Sequence, residues 1–162
     1  MAIADDLLRL ADHLAKPTAA DPEQAWLRRS VSTAYYALFH LLVQEAAQRW
    51  QGSHAAQLGL ERAFKHDQMK ELSRGISKGS WKSLSSPQLL VPSELDRVAK
   101  AFISLQEARH QADYNNEKNW TRTEVAAKLS DATAAFQNWV KIRESPVAGE
   151  YLLSLLIGKR RE

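Results

Sequence analysis

The sequence predicts an all-α protein, and three observations carry that prediction. Ala and Leu together number 45 against 17 for Val, Ile and Thr combined, a balance that favours helix over strand at most local choices. Gly and Pro are sparse, at 6 and 5 residues. Between these breaks, apolar residues recur at helical spacing. The 162 residues, 44% apolar and 25% charged, are enough for one domain with a buried core. The expected architecture is a bundle of four or five main helices with a short C-terminal helix, in a single domain over 1–162.

The first helix is expected from Ile3 to Ala15, with Leu7, Leu10 and Leu14 on one side, ending before Pro17. The second opens at Asp21-Pro22-Glu23-Gln24, where Asp21 suits an N-cap, Pro22 the first turn and Gln24 a capping box. No Pro or Gly follows until Gly52, so this helix can run to Trp50. Its centre, AYYALFHLLV from Ala34 to Val43, carries one strongly polar side chain, His40. A helix apolar all round must be covered on every side, which makes it the spine of the domain.

After Gly52-Ser53 a weaker helical stretch from His54 to Ile76 is expected, divisible into two pieces. Residues 77–92, SKGSWKSLSSPQLLVP, read as a long loop with Trp81, Leu84 and Leu89 as packing anchors. Ser93 is expected to cap a helix running to Tyr114 with Leu95, Val98, Phe102 and Leu105 as its stripe. Thr121 and Glu124 form a capping box for the next, with Val125, Leu129, Ala132, Phe136 and Val140 facing the core. Pro146 ends that helix. The apolar run Tyr151–Ile157 forms the short terminal one and needs a covering partner, which predicts a homodimer.

Without cysteine the chain has no disulfide framework, thiolate metal site or cysteine nucleophile. Its start, MAIADDLLRL, lacks the basic n-region of a secretory signal, and no apolar run reaches the length of a bilayer span, so no membrane association and a cytoplasmic location are expected. A net charge of +3 is too small for a general polyanion binder. Residues 62–82 nevertheless hold Arg62, Lys65, Lys70, Arg74, Lys78 and Lys82 against Asp67 and Glu71. That local excess is a candidate phosphate-facing surface, the plainer reading being a solvated helix face and loop. Trp81 and Trp120 near loop cations fit either base stacking or packing.

Two constellations can carry chemistry. On the second helix Arg29, Thr33, Tyr36 and His40 gather opposite Leu27, Val31, Ala34, Leu38 and Leu41, either as hydrogen-bonded core groups or as ligand contacts. On the helix from Ser93, the stripe Val98, Phe102, Leu105 continues at Arg109, with Asp113 one turn on. A guanidinium on a core stripe is costly unless paired. Asp113 therefore makes a structural ion pair, or Arg109 faces a cleft and meets a phosphate or a partner carboxylate. No phosphate-binding glycine loop, metal-binding histidine pair or nucleophile elbow is present, and no cofactor or metal is expected.

Arg29 followed by SVSTAYYALFHLL, and then EARHQADY from Glu107 to Tyr114, resemble the HEPN superfamily of prokaryotic helical domains, in order and spacing from Trp26 to Trp139. The resemblance implies a bundle of four or five helices, frequent homodimerisation, and association with nucleotides or RNA. It also implies a nucleotidyltransferase partner in toxin–antitoxin or defence settings. Ribonuclease members share an Arg followed after four to six residues by His on the later helix; here the corresponding positions after Arg109 are Tyr114, Asn115 and Asn116. Arg49 and His54 meet that spacing elsewhere, straddling the end of the second helix, at a frequency expected by chance. The expectation is thus a non-catalytic HEPN-like protein with a binding cleft near Arg29, Tyr36, His40, Arg109, Asp113 and Tyr114. The alternatives are a divergent ribonuclease using Arg109 with His110 or His40, and a purely structural dimerisation module.

Overall fold

A computed structural model of the protein describes residues 3–84 and 89–158. Among them are seven helices and no strand: α1 (Ile3–Leu14), α2 (Glu23–Arg49), α3 (His54–Arg62), α4 (His66–Ser77), α5 (Ser93–Tyr114), α6 (Arg122–Ile142) and α7 (Pro146–Ile157). The bundle and its short C-terminal helix follow the expectation, and the stretch after Gly52 divides at Ala63–Lys65. Residues 85–88 of the expected loop, and those at 1–2 and 159–162, lie outside the described residues. No described helix is long and apolar enough to cross a membrane.

The 27 residues of α2 span about 40 Å. From Ser30 to Tyr35 every residue is buried, so no side of this segment faces solvent. Packing explains it: α1 lies along one side, α5 and α6 along others, and α3 and α7 cover the C-terminal half. Leu38, Leu42, Phe102, Leu105 and Trp139 are completely enclosed. At roughly 1.5 to 3 kcal/mol for each large apolar side chain, this burial dominates the favourable terms.

Several local expectations are corrected. Asp21 does not cap α2; Pro22 is the N-cap and has no side-chain acceptor, while Asp21 accepts from the Thr18 backbone N–H at 2.6 Å and its hydroxyl at 2.8 Å. Gln24 reaches across the bundle instead, donating to the Trp120 carbonyl at 2.8 Å and accepting from the Trp120 N–H at 2.9 Å. Pro92, not Ser93, is the N-cap of α5. The Thr121–Glu124 capping box forms as expected.

On α1 the leucines do not define the seam. Ala4 and Ala11 are fully buried and Leu10 is 46% exposed, because small side chains let α1 approach α2 closely enough for the Ser30 hydroxyl to donate to the Ala11 carbonyl at 2.7 Å. On α6 the buried residues Val125, Ala132 and Trp139 recur every seventh position, a repeat that drifts from the straight-helix spacing. Val140 is consequently 59% exposed and the indole of Trp139 takes the core place expected for it.

The C-terminal helix finds most of its cover within the chain. α6 already ends at Ile142, with Arg143 as its C-cap, and Pro146 begins α7, where it occupies the first turn. Tyr151, Leu152 and Leu155 are buried, the Tyr151 hydroxyl hydrogen-bonds Ser73 on α4 at 2.9 Å, and Leu153 and Ile157 remain exposed. Burial raises the Tyr151 phenol well above its ordinary pKa, opposed by the Ser73 hydrogen bond. The Gln68 amide donates to the last-turn carbonyls of Leu155 at 3.2 Å and Leu156 at 2.6 Å. Gly158 makes this possible: its φ of 77° and ψ of −158° suit glycine alone, and a Cβ there would lie 2.7 Å from Gln68 Cδ. Gly158→Ala should therefore destabilise by about 1 to 3 kcal/mol in urea unfolding, whereas Gly149→Ala, where a Cβ meets nothing, should not.

Candidate functional site

Where α2, α4 and α5 meet, the fold places a cation inside an aromatic cluster. Arg109 continues the apolar stripe of α5 and so points inward, where α2 presents Tyr35 and Tyr36. The guanidinium carbon lies 5.2 Å from the Tyr35 ring centre and 5.9 Å from that of Tyr36, within range of favourable attraction by their π faces. Asp113 is the neighbouring acid, with Oδ2 at 3.7 Å from Arg109 Nη1, too long for a direct hydrogen bond. The same oxygen accepts from the Ser32 hydroxyl at 3.3 Å. Arg109 Nε is buried without a hydrogen-bond partner among the described residues. This is an incompletely neutralised guanidinium, its side chain only 14% exposed.

The first residue of α4 completes the cluster. The His66 ring stacks on Phe39 with centres 4.2 Å apart, and its Nδ1 is 2.5 Å from the Tyr35 hydroxyl. Burial raises the Tyr35 phenol above its ordinary pKa, with Arg109 opposing, so the phenol stays protonated. Burial pushes His66 below the usual histidine value; Arg109 and His40 act in the same sense and Asp67 against it. His40 is lowered too, by burial and against Glu61. A neutral imidazole bonded to a phenol thus stands in the electrostatic field of Arg109.

Of the residues expected at a cleft, Tyr36, Arg109 and Asp113 come together, and His40 joins them through Phe39, whose ring centre is 5.4 Å from its own. Arg29 and Tyr114 do not: Arg29 is exposed, and Tyr114 is 67% exposed with its ring 5.0 Å from that of His110. Arg28, not Arg29, makes the structural contacts. It donates to the carbonyls of Ala112 and Asn115 at 2.9 Å and of Lys118 at 2.5 Å, which closes the C-terminal end of α5. His66, Tyr35 and Ser32 were missed. Tyr35 was hidden among apolar neighbours, and His66 lies 43 residues before Arg109 with no spacing signal to join them.

The basic residues of 62–82 divide in two. Lys70 and Arg74 lie 3.5 and 3.3 Å from Glu107 on α5, and Arg74 also pairs with Glu71 at 2.5 Å, so these cations fasten α4 to α5. Arg62, Lys65, Lys78 and Lys82 are exposed. Trp120 is 5% exposed and the Trp81 indole N–H donates to the Ser154 hydroxyl at 3.3 Å, so both are packing anchors. Among the described residues no group of His, Asp and Glu is close enough to hold a metal ion. No family model, characterised protein or solved structure matches the chain.

Two outcomes follow from this geometry. Asp113→Leu removes the acid paired with Arg109; because both side chains retain some solvent contact, the loss should be roughly 1 to 3 kcal/mol, partly recovered in Arg109→Met/Asp113→Leu by thermal unfolding. The second concerns pH. The depressed folded-state pKa values of His66 and His40 mean that the unfolded chain binds protons more readily, so their contribution is present above about pH 6.5 and is lost as pH falls from there through the folded values. Stability measured by urea between pH 8 and 5 should fall less steeply in His66→Gln than in the wild type.

Proposed function

We propose that the protein is a non-catalytic HEPN-like helical module that binds RNA or a nucleotide, or a nucleotidyltransferase partner, in a toxin–antitoxin or defence setting. The observation that carries the reading is an exposed cation at the edge of the aromatic cluster: Lys65 immediately precedes His66, whose ring meets Tyr35 on which Arg109 also rests. Lys65 and Lys78 cap the two ends of α4. They stand about 20 Å apart at helical rise, a spacing that suits phosphates several nucleotides apart on one strand better than those of a single nucleotide. The resemblance in the AYYALFH and ADY segments supports the same class.

Fluorescence anisotropy with a short single-stranded RNA tests it. Affinity should fall with rising salt, and Lys65→Glu/Lys78→Glu should lower it about tenfold or more at constant salt. Absence of binding at low salt would remove the RNA reading. A homodimer belongs to the same proposal, its support now reduced to the resemblance and to exposed Tyr114, Leu153 and Ile157. Light scattering should give twice the monomer mass.

One observation favours the divergent ribonuclease as a second reading. The histidine beside Arg109 is His66, rather than His40 or His110, and its neutral imidazole is of the kind that accepts a proton while an arginine holds a phosphate. Under the preferred reading, RNA incubated with the protein stays intact. Cleavage lost in both Arg109→Ala and His66→Ala would establish the second reading instead.

A further inference from the structure

On the outer side of α5, away from Arg109, an open groove of about 560 Å³ runs between α5 and α6 and reaches α4 at one end. Its floor is low because Ala108 and Ala127 extend no further than Cβ, leaving an apolar trough between two long helices. Lysines border it from three elements: Lys70 on α4, Lys118 in the α5–α6 loop and Lys128 on α6. We infer that this groove receives an acidic amphipathic helical segment of a partner protein.

The charges on the rim favour such a guest. Lys70 and Lys118 stand 3.5 and 3.4 Å from Glu107 and Glu124, longer than a well-made charge-assisted hydrogen bond. Lys128 is held by a neutral group, the Ser104 hydroxyl, at 2.7 Å. Each ammonium carries three N–H donors, so these three lysines around an apolar floor can donate to guest carboxylates while keeping their present partners. The two rim glutamates oppose a continuous phosphate backbone, whereas the carboxylates of a helix project one at a time and can avoid them. Small floor residues admit the apolar edge of a third helix, with anchors at successive turns.

Trp120 adds an independent observation at the groove wall. It is 5% exposed, its indole N–H is buried without a partner among the described residues, and the Lys118 ammonium lies 4.6 Å from its ring centre. A buried donor left unpaired is costly. The ammonium over the ring face, rather than the indole N–H, is the part of this wall that a guest carboxylate reaches.

The surface is distinct from the Arg109 cluster and the cationic edge, and its test is separable from the RNA test. A displayed library of random peptides about 12 residues long is selected against the full chain. The enriched family is expected to combine Asp or Glu with apolar residues at i, i+3 or i+4, and i+7. A fluorescent member should bind the wild type and lose about tenfold or more in affinity to Ala127→Trp and to Lys128→Glu, each with a thermal midpoint close to the wild type. Single-stranded RNA affinity should not change in Ala127→Trp. Should that variant fail to fold, Ala127→Glu at the same exposed position replaces it. Failure to enrich any family, enrichment without acidic residues, or peptide affinity unaltered by the variants would overturn the proposal. So would a groove variant that weakens RNA binding and leaves the peptide untouched.

Discussion

The rest of this structure depends on the requirement that α2 be covered on every side. A helix buried from Ser30 to Tyr35 without a solvent face cannot stand at the edge of a bundle. Each neighbour answers a different part of its surface. Ala4 and Ala11 of α1 give close backbone approach, Phe102 and Leu105 of α5 and Trp139 of α6 supply bulk, and the short helices close the C-terminal half. The polar groups of α2 must then find partners inside the fold. Ser30 finds the Ala11 carbonyl, Ser32 finds Asp113, and Tyr35 finds His66.

That last group explains how a guanidinium is tolerated on an apolar stripe. Asp113 at 3.7 Å is too distant to bind it closely, and Nε has no partner among the described residues. The tyrosine π faces offer attraction without a second buried charge, so they carry part of the neutralisation that an ion pair would otherwise provide. A protonated His66 would add a cation to this setting. Burial and Arg109 both resist that protonation, while Asp67 at the next position favours it. The Tyr35 hydroxyl at Nδ1 is consistent with the neutral ring.

The fold class and most helices were legible in the sequence because Gly, Pro and apolar spacing are local signals. The Thr121–Glu124 box is local too, and it forms. What failed was anything decided by a distant partner. Gln24 was assigned to a capping box because Glu23 and Gln24 follow Asp21-Pro22, yet its amide is used by Trp120, 96 residues away. Leu10 and Val140 obey helical spacing but lie outside the seam, since alanine contacts set the α1 interface and a seven-residue repeat shifts that of α6. Within the site, the Arg109–Asp113 spacing and the Tyr36 face were readable on single helices. The His66 contact required knowing how α4 docks. Of two adjacent arginines, neither composition nor phase showed that Arg28 would close the end of α5 while Arg29 stayed exposed.

The docking of α4 links these parts. It is a twelve-residue helix, too short to be stable through its own backbone bonds, and must be held by its surroundings. Met69, Leu72 and Ile76 provide the apolar contact, Ser73 and Gln68 attach it to α7, and Lys70 and Arg74 meet Glu107 on α5. Those surface ion pairs are individually weak. Their value lies in orientation, since a small rotation of α4 would move His66 from the Phe39 ring and the Tyr35 hydroxyl. Gly158, by allowing α7 to end against Gln68, is therefore connected to the position of His66 through α4. The aromatic cluster is built by α2 and α5, but its histidine is set by the docking of α4 on both α5 and α7.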